Sequence, residues 1–305
     1  MVWLSGLVPS FEQAQAVFAR IGHRQVPRMS IWRQTQSYAQ RLQDHRLEQQ
    51  ARVRPERVVL PPAGQDHGQR KGISMDGGMV HIRDEGWKEF KLGAIYDVVP
   101  GREADPLTGE EVEQAQATGI LCTGVLGPVD QFGPALWHLA VEQHVPQAAD
   151  SSVTADGAPW IWNLTADYFP DSVQIVDWYH ACQHLAQAAA ALHPDDPAAA
   201  QRWFKQHQHA LFQGQLHVIT SALDQADLSD HAHYFHTHKR RLQYLEFREN
   251  GYPIGSGTVE SLIKQCKLRL TGPGMRWSRS GAQHMLLIRS TVLDQTFDTL
   301  WADAA

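Results

Sequence analysis

The stretch KGISMDGGMVHIRDEGWKEFKLGAIYDVV, residues 71–99, decides the fold class. Lys71–Arg83 reads as a strand, and Trp87–Val99 reads as its antiparallel partner. In the second run Phe90, Leu92, Ala94 and Tyr96 share one parity while Glu89, Lys91 and Asp97 take the other, the alternation of a half-buried strand. Asp84-Glu85-Gly86 supplies the turn between them. Downstream, an acidic loop over Pro100–Glu113 precedes a third apolar run, Gly119–Gly127, and a helix is expected over 130–144. Ser152–Ala155 and Ser172–Val176 read as a fourth and a fifth strand, with a helix over 158–168 between them.

From Tyr179 to about Arg248 the composition is helical, with breaks near His193–Pro197 and Gln213–Gly214. A Gly-rich turn, GYPIGSGT, then leads into a last helical stretch near Val259–Leu270. Three antiparallel strands, a helix, two more strands and further helices give an α/β chain in RNase H-like order. The expected architecture is a mixed five-stranded sheet with flanking helices, split by an all-helical insertion after its fifth strand. The divisions expected are a short helical segment over 1–52, a Pro- and Gly-rich linker over 53–71, a first core part over 72–183, the insertion over 184–249, and a second core part over 250–305. Residues 10–22 and 29–50 form two helices, with Ser10 as N-cap and Gln13 at the capping-box position. Such a pair is compatible with a helix-turn-helix, although most helical pairs merely pack.

Composition narrows the class. The 305 residues are 43% hydrophobic and 20% charged, a globular balance rather than a disordered one. No apolar run approaches the ~18 residues of a membrane span, and no export signal is read at the start, so the expected setting is the cytoplasm. The three cysteines, Cys122, Cys182 and Cys266, are odd in number and far apart, which disfavours a disulfide framework. The net charge of −6 hides an asymmetry: between Lys239 and Arg289 stand ten Lys or Arg against three acids, a local +7 suited either to a polyanion or to a solvated basic face.

Three acids sit where this strand order places chemistry. Asp76 lies within the first strand beside Gly77 and Gly78, Asp156 ends the fourth, and Glu260 opens the final helix. Asp and Gly both disfavour strands, so their place in the first strand is a local violation of the kind function imposes. Converging carboxylates repel unless a hard divalent cation joins them. Two Mg²⁺ about 4 Å apart, with Mn²⁺ as a substitute, would serve in-line phosphoryl chemistry. Glu260, Lys264 and Lys267 fall on one helix stripe, a metal ligand followed by two phosphate-facing cations.

These blocks, namely SMDGGMVHIR, the Trp87–Tyr96 strand, TADGAPWIWNL, IVDWYHACQHL, GYPIGSGTVESLIKQ and TGPGMRWSRSGAQHMLLIRS, resemble the RNase H-like DDE transposases of bacterial insertion sequences. The likeness is to the ISKra type and more remotely to the Mutator superfamily, and it runs from about residue 72 to 291. It implies a catalytic and metal-binding triad of Asp76, Asp156 and Glu260, Mg²⁺ dependence, and DNA cleavage with strand transfer. The implied partners are the element's terminal repeats and target DNA, with a homo-oligomer assembled on DNA at the nucleoid. Asp177-Trp-Tyr-His180 matches the family's accessory signature. Asp177 competes with Asp156 for the second catalytic place, and Asp156 is preferred because it directly follows a strand. Lys264, Lys267, Arg269, Arg276 and Arg279 are the expected phosphate contacts, joined by Arg240, Arg241 and Arg248 from the insertion, with Trp277 expected to stack on a base. Members of the family usually carry a larger N-terminal DNA-binding region, so a truncated, inactive remnant and a metal-dependent nuclease without strand transfer are the rival expectations. A zinc site at Asp177, His180, Cys182 and His184 is disfavoured by helical geometry, and the histidines of HAHYFHTH are not spaced to converge on one ion.

Overall fold

A computed structural model describes residues 1–57, 69–105 and 107–304, with side chains as far as residue 300. Most of the expected linker therefore lies outside the described residues. At the centre is a five-stranded mixed sheet in the order β3-β2-β1-β4-β5. β1 (Arg70–Ile82), β2 (Gly86–Ala104) and β3 (Glu111–Val125) form an antiparallel meander. β4 (Asp150–Ala155) runs parallel to β1, and β5 (Val173–Val176) runs parallel to β4. After three N-terminal helices, α1 (Val2–Leu7), α2 (Phe11–Arg20) and α3 (Arg28–Arg52), the connections are α4 (Val129–Glu142) between β3 and β4 and α5 (Pro159–Tyr168) between β4 and β5. Next come α6 (Trp178–Leu192), α7 (Pro197–Phe212), α8 (Leu216–Gln225), α9 (Ser229–His238) and α10 (Tyr244–Glu249). α11 (Gly257–Leu270), α12 (Arg279–Leu293) and α13 (Phe297–Ala304) complete the chain.

Strand alternation sorts the core into two layers. Ile73, Met75 and Ile95 pack with Phe132 and Leu136 of α4, Ile161 of α5 and Leu185 of α6. The opposite parity, Val80, Phe90, Leu92 and Tyr96, packs with Val259 and Ile263 of α11 and Met285 of α12. Each such fully buried side chain contributes about 1.5–3 kcal/mol relative to exposure. The helices expected as an insertion do not stand apart. Leu211, Ile219, Phe235 and Tyr244 join the same core as β1 and β4, and α6 runs unbroken through the expected boundary at 183/184.

Two local expectations change. Most of the stretch 100–113 is strand and not loop, because the β2–β3 ladder continues through Arg102↔Glu113 to Ala104↔Glu111. Acidic residues, Pro100 and Gly101 obscure that extension. It is a largely exposed ladder held by backbone pairing, with Gln116 also donating to Arg102 O at 2.8 Å. Its tip closes on Asp105, whose Oδ1 accepts from the Leu107 and Thr108 amides at 2.8 and 2.9 Å. At the N-terminus, Ser10 caps α2 as expected, accepting from the Gln13 amide at 3.1 Å. The 1–52 segment as a whole is bound to the C-terminal helices. Arg289 donates to the carbonyls of Gly6 and Leu7 at 2.8 and 3.1 Å, and Arg269 donates to Ser5 O at 2.8 Å.

Candidate functional site

Sheet register places the three aspartates in a row. The last β1–β4 pair is Met75↔Ala155 and the last β4–β5 pair is Ala155↔Val176. Asp76, Asp156 and Asp177 are therefore each the next residue, side by side on three adjacent parallel strands, Asp156 and Asp177 directly after β4 and β5 and Asp76 in the middle of β1. β1 continues past this point, and its glycines have a packing role. A methyl group on Gly78 would lie 2.3 Å from the Phe90 ring carbon Cζ, so the cross-strand aromatic occupies the space a side chain would need. Asp156 turns the chain into α5: its Oδ1 accepts from the Ala158 amide at 2.9 Å, and Gly157 takes φ +100°, where other residues are strained. His238 and Tyr234 of α9 lie against that glycine and wall this side of the site.

Asp177 is spent on structure. It is fully buried, and its Oδ1 caps α6 by accepting from the His180 amide at 2.8 Å and from His180 Nδ1 at 3.2 Å. Its Oδ2 accepts from the Ser256 amide at 2.5 Å. Two more bonds seat the segment before α11: Thr154 Oγ1 donates to Pro253 O at 3.1 Å, and the Trp178 amide donates to Ile254 O at 2.9 Å. Residues far apart in sequence thus deliver Glu260 to the ends of β4 and β5. Glu260 Oε1 stands 4.0 Å from His180 Nδ1, and Oε2 is 3.4 Å from Lys264 Nζ. Asp177, His180 and Glu260 offer ligand atoms within 4.8 Å of one another, the one such group among the described residues. Asp76 and Asp156 adjoin this cluster without entering it.

Burial pushes the Asp76 carboxyl up to about 6, the Gly77 amide opposes this, and nearby Asp156 adds to it. His180 and Lys267 act on the same group in the opposite sense. His180 is raised above its ordinary value, chiefly by its hydrogen bond to Asp177. Burial would raise Asp177, but the bonds from His180 and Ser256 outweigh it and hold it low. The acids are thus answered by His180, Lys264 and Lys267. Carboxylate oxygens in this number suit a hard divalent ion, with one imidazole as a softer neighbour.

The expected DNA contacts divide. Lys264, Lys267, Arg240 and Arg276 are exposed, and Arg279 is exposed but paired with Glu85 at 2.5 Å. Arg269 is 1% exposed, lies over the rings of Phe11 and Trp277, and cannot reach a phosphate. Trp277 is likewise buried, its Nε1 donating to Leu270 O at 2.9 Å, so it is a core residue and not a stacking platform. Arg241 donates to Gln174 and covers the Trp162 ring, while Arg248 pairs with Asp105 and covers the Phe212 ring. Both are held inside the fold. The basic count along the chain overstated the surface because several of its guanidiniums tie helices together. Sequence reasoning missed the Ser256 amide, which carries no side-chain signal, and the exposed Tyr179, which stands inside the Asp-Trp-Tyr-His signature. The zinc alternative does not assemble: Cys182 Sγ accepts from Gln208, and His184 stacks on Tyr234 at 3.7 Å. No protein-family model matches the chain, and no curated protein sequence shows significant similarity to it.

Proposed function

We propose that this chain is an RNase H-like DDE transposase that cleaves DNA at the ends of an insertion sequence and joins the freed 3′ end to target DNA. The observation that carries the reading is the row of Asp76, within β1, beside Asp156 and Asp177 at the carboxyl ends of β4 and β5, met by Glu260 from a helix clamped to Asp177. The strand order β3-β2-β1-β4-β5 and its mixture of directions are those expected of the superfamily.

Asp76, Asp156 and Glu260 would hold two Mg²⁺ ions. When bound, these supply Lewis-acid activation of the attacking oxygen and charge stabilisation at the leaving oxygen. Asp177 positions rather than ligates, since its buried oxygens already accept from His180 and Ser256. It fixes the start of α11 and orients His180 toward Glu260. Lys264 and Lys267 hold the phosphate backbone along the outer side of α11. The partners are element ends and target DNA, with at least two copies of the chain assembled on them.

The test is a Mg²⁺ assay on labelled DNA carrying the element ends, comparing the native chain with Asp156→Asn and Asp177→Asn. Asp156→Asn should abolish cleavage and joining, and Asp177→Asn should leave residual cleavage. Cleavage without joining by the native chain would make it a nuclease, and binding without either step would make it a remnant. Loss with Asp177→Asn alone would give the second catalytic place to Asp177.

A further inference from the structure

Tyr179 is left without an assignment once the acid cluster is accounted for. It stands on α6 between Trp178, which is 2% exposed, and His180, yet it is itself 61% exposed. Its ring lies against the turn that leads into α11. A methyl group on Gly255 would sit 3.7 Å from Tyr179 Cε2 and 3.8 Å from Asp177 Oδ2, which is ordinary contact. At Gly257 such a group would meet nothing within 4 Å. Neither glycine has a positive φ, so neither backbone conformation nor crowding inside the fold calls for glycine at these two positions. Gly257 leaves open space one helical turn before Glu260, and Gly255 keeps the turn in no more than ordinary contact with the Tyr179 ring. Exposed Lys264 and Lys267 line the same helix as Gly257. Burial first, then Asp177, Glu103 and Glu260, raises the Tyr179 hydroxyl above its ordinary range, so the ring is uncharged.

We infer that Tyr179 is a base-contacting residue, whose exposed face takes an unpaired nucleotide base flanking the phosphate at the acid cluster, with Gly255 and Gly257 leaving room for the sugar–phosphate backbone. The inference rests on the reading of the site as a DNA-cleaving centre, and adds that unpairing beside the scissile bond is sensed by stacking. An aromatic ring suits this use because every base has a π-face, so the contact tolerates sequence.

The experiment measures binding in Ca²⁺, without cleavage, of a blunt DNA duplex and of the same duplex with a three-nucleotide single-stranded overhang containing 2-aminopurine. The native chain should prefer the overhang and quench the 2-aminopurine. Tyr179→Phe should keep both properties, and Tyr179→Ala should lose roughly 10- to 100-fold in overhang affinity together with the quenching. Blunt-duplex affinity and thermal midpoint should not move, because the side chain is exposed. A Tyr179→Ala protein that matches the native chain on both DNAs overturns the inference, and if the native chain still cleaves DNA in Mg²⁺ the reading of the site survives. A native chain that neither binds nor cleaves DNA overturns both.

Discussion

The two ends of the β1–β4 ladder treat charge in opposite ways. At one end the paired residues Arg70 and Asp150 form a salt bridge of 2.8 Å, and the Tyr252 hydroxyl donates to the same carboxylate at 2.5 Å. Nearby, Lys71 pairs with Asp97 at 2.5 Å, and Arg248 pairs with Asp105. Six residues along the same register, Asp76 comes beside Asp156, and among the described residues neither forms an ion pair. Burial would raise Asp105, yet Arg248 and two amides bring it down to about 2, whereas Asp76 is pushed up to about 6. A sheet selected only for stability would pair its acids at both ends, because an uncompensated carboxylate in a half-buried position is costly. On the proposed reading, the unpaired end is the one that a divalent cation would serve.

Substitution should separate the ends most sharply in activity. Asp76→Asn and Asp156→Asn should each lower Mg²⁺-dependent DNA cleavage by roughly a thousandfold or more, since several kcal/mol of transition-state stabilisation would go with the ions. Asp150→Asn, at the paired end, should leave cleavage within a few-fold and lower the thermal midpoint. Equal losses of cleavage from both ends would dissolve the contrast. Asp177→Ala should fall between the two classes. It strands the Ser256 and His180 amides, so urea unfolding should show a loss of about 2–4 kcal/mol, and cleavage should drop as the start of α11 loosens. Unchanged stability in that variant would remove the positioning role of Asp177.

The legible parts of the molecule were those with a periodic signal. Alternation in residues 87–96 marked β2, and short apolar runs bounded by Asp-Gly or Asp marked β4 and β5. Asp156 and Asp177 could then be read because each follows a strand directly, and Asp76 because an Asp-Gly-Gly run is out of place inside a strand. The polar extension of β2 and β3 was hidden, since its pairing depends on a partner strand rather than on its own composition. Charge was the least legible quantity. Arg269 reads as a phosphate contact and Arg289 as part of the basic run, but both are buried against the carbonyls of α1, a contact spanning more than 260 residues of chain. Trp277 was misread for the same reason. It follows Gly272-Pro273-Gly274 and stands between Arg276 and Arg279, yet its backbone bonds to β1 and its indole closes the core beneath α11.

The smallest effect is a pair of pH slopes of opposite sign. Asp76 in the folded, metal-free protein ionises near 6 against an ordinary 3.8, so its contribution to stability is fully present below about pH 4 and is lost as the pH rises through about 6. Asp76→Asn should therefore be more stable than the native chain at pH 8, by on the order of 2 kcal/mol, and should lose that advantage at pH 4. Asp105 ionises near 2, so its contribution is present above about pH 4 and is lost as the pH falls through about 2. Asp105→Asn should cost about 1–2 kcal/mol at pH 7 and almost nothing at pH 2. Urea unfolding with a chelator across this range reads both slopes. Mg²⁺ should flatten the Asp76 slope by favouring the ionised carboxylate, and it should leave the Asp105 slope alone because Arg248 already supplies the positive charge there. Slopes of the same sign, or a Mg²⁺ response at Asp105, would mean that the two ends are held alike and that the row of aspartates is no metal site.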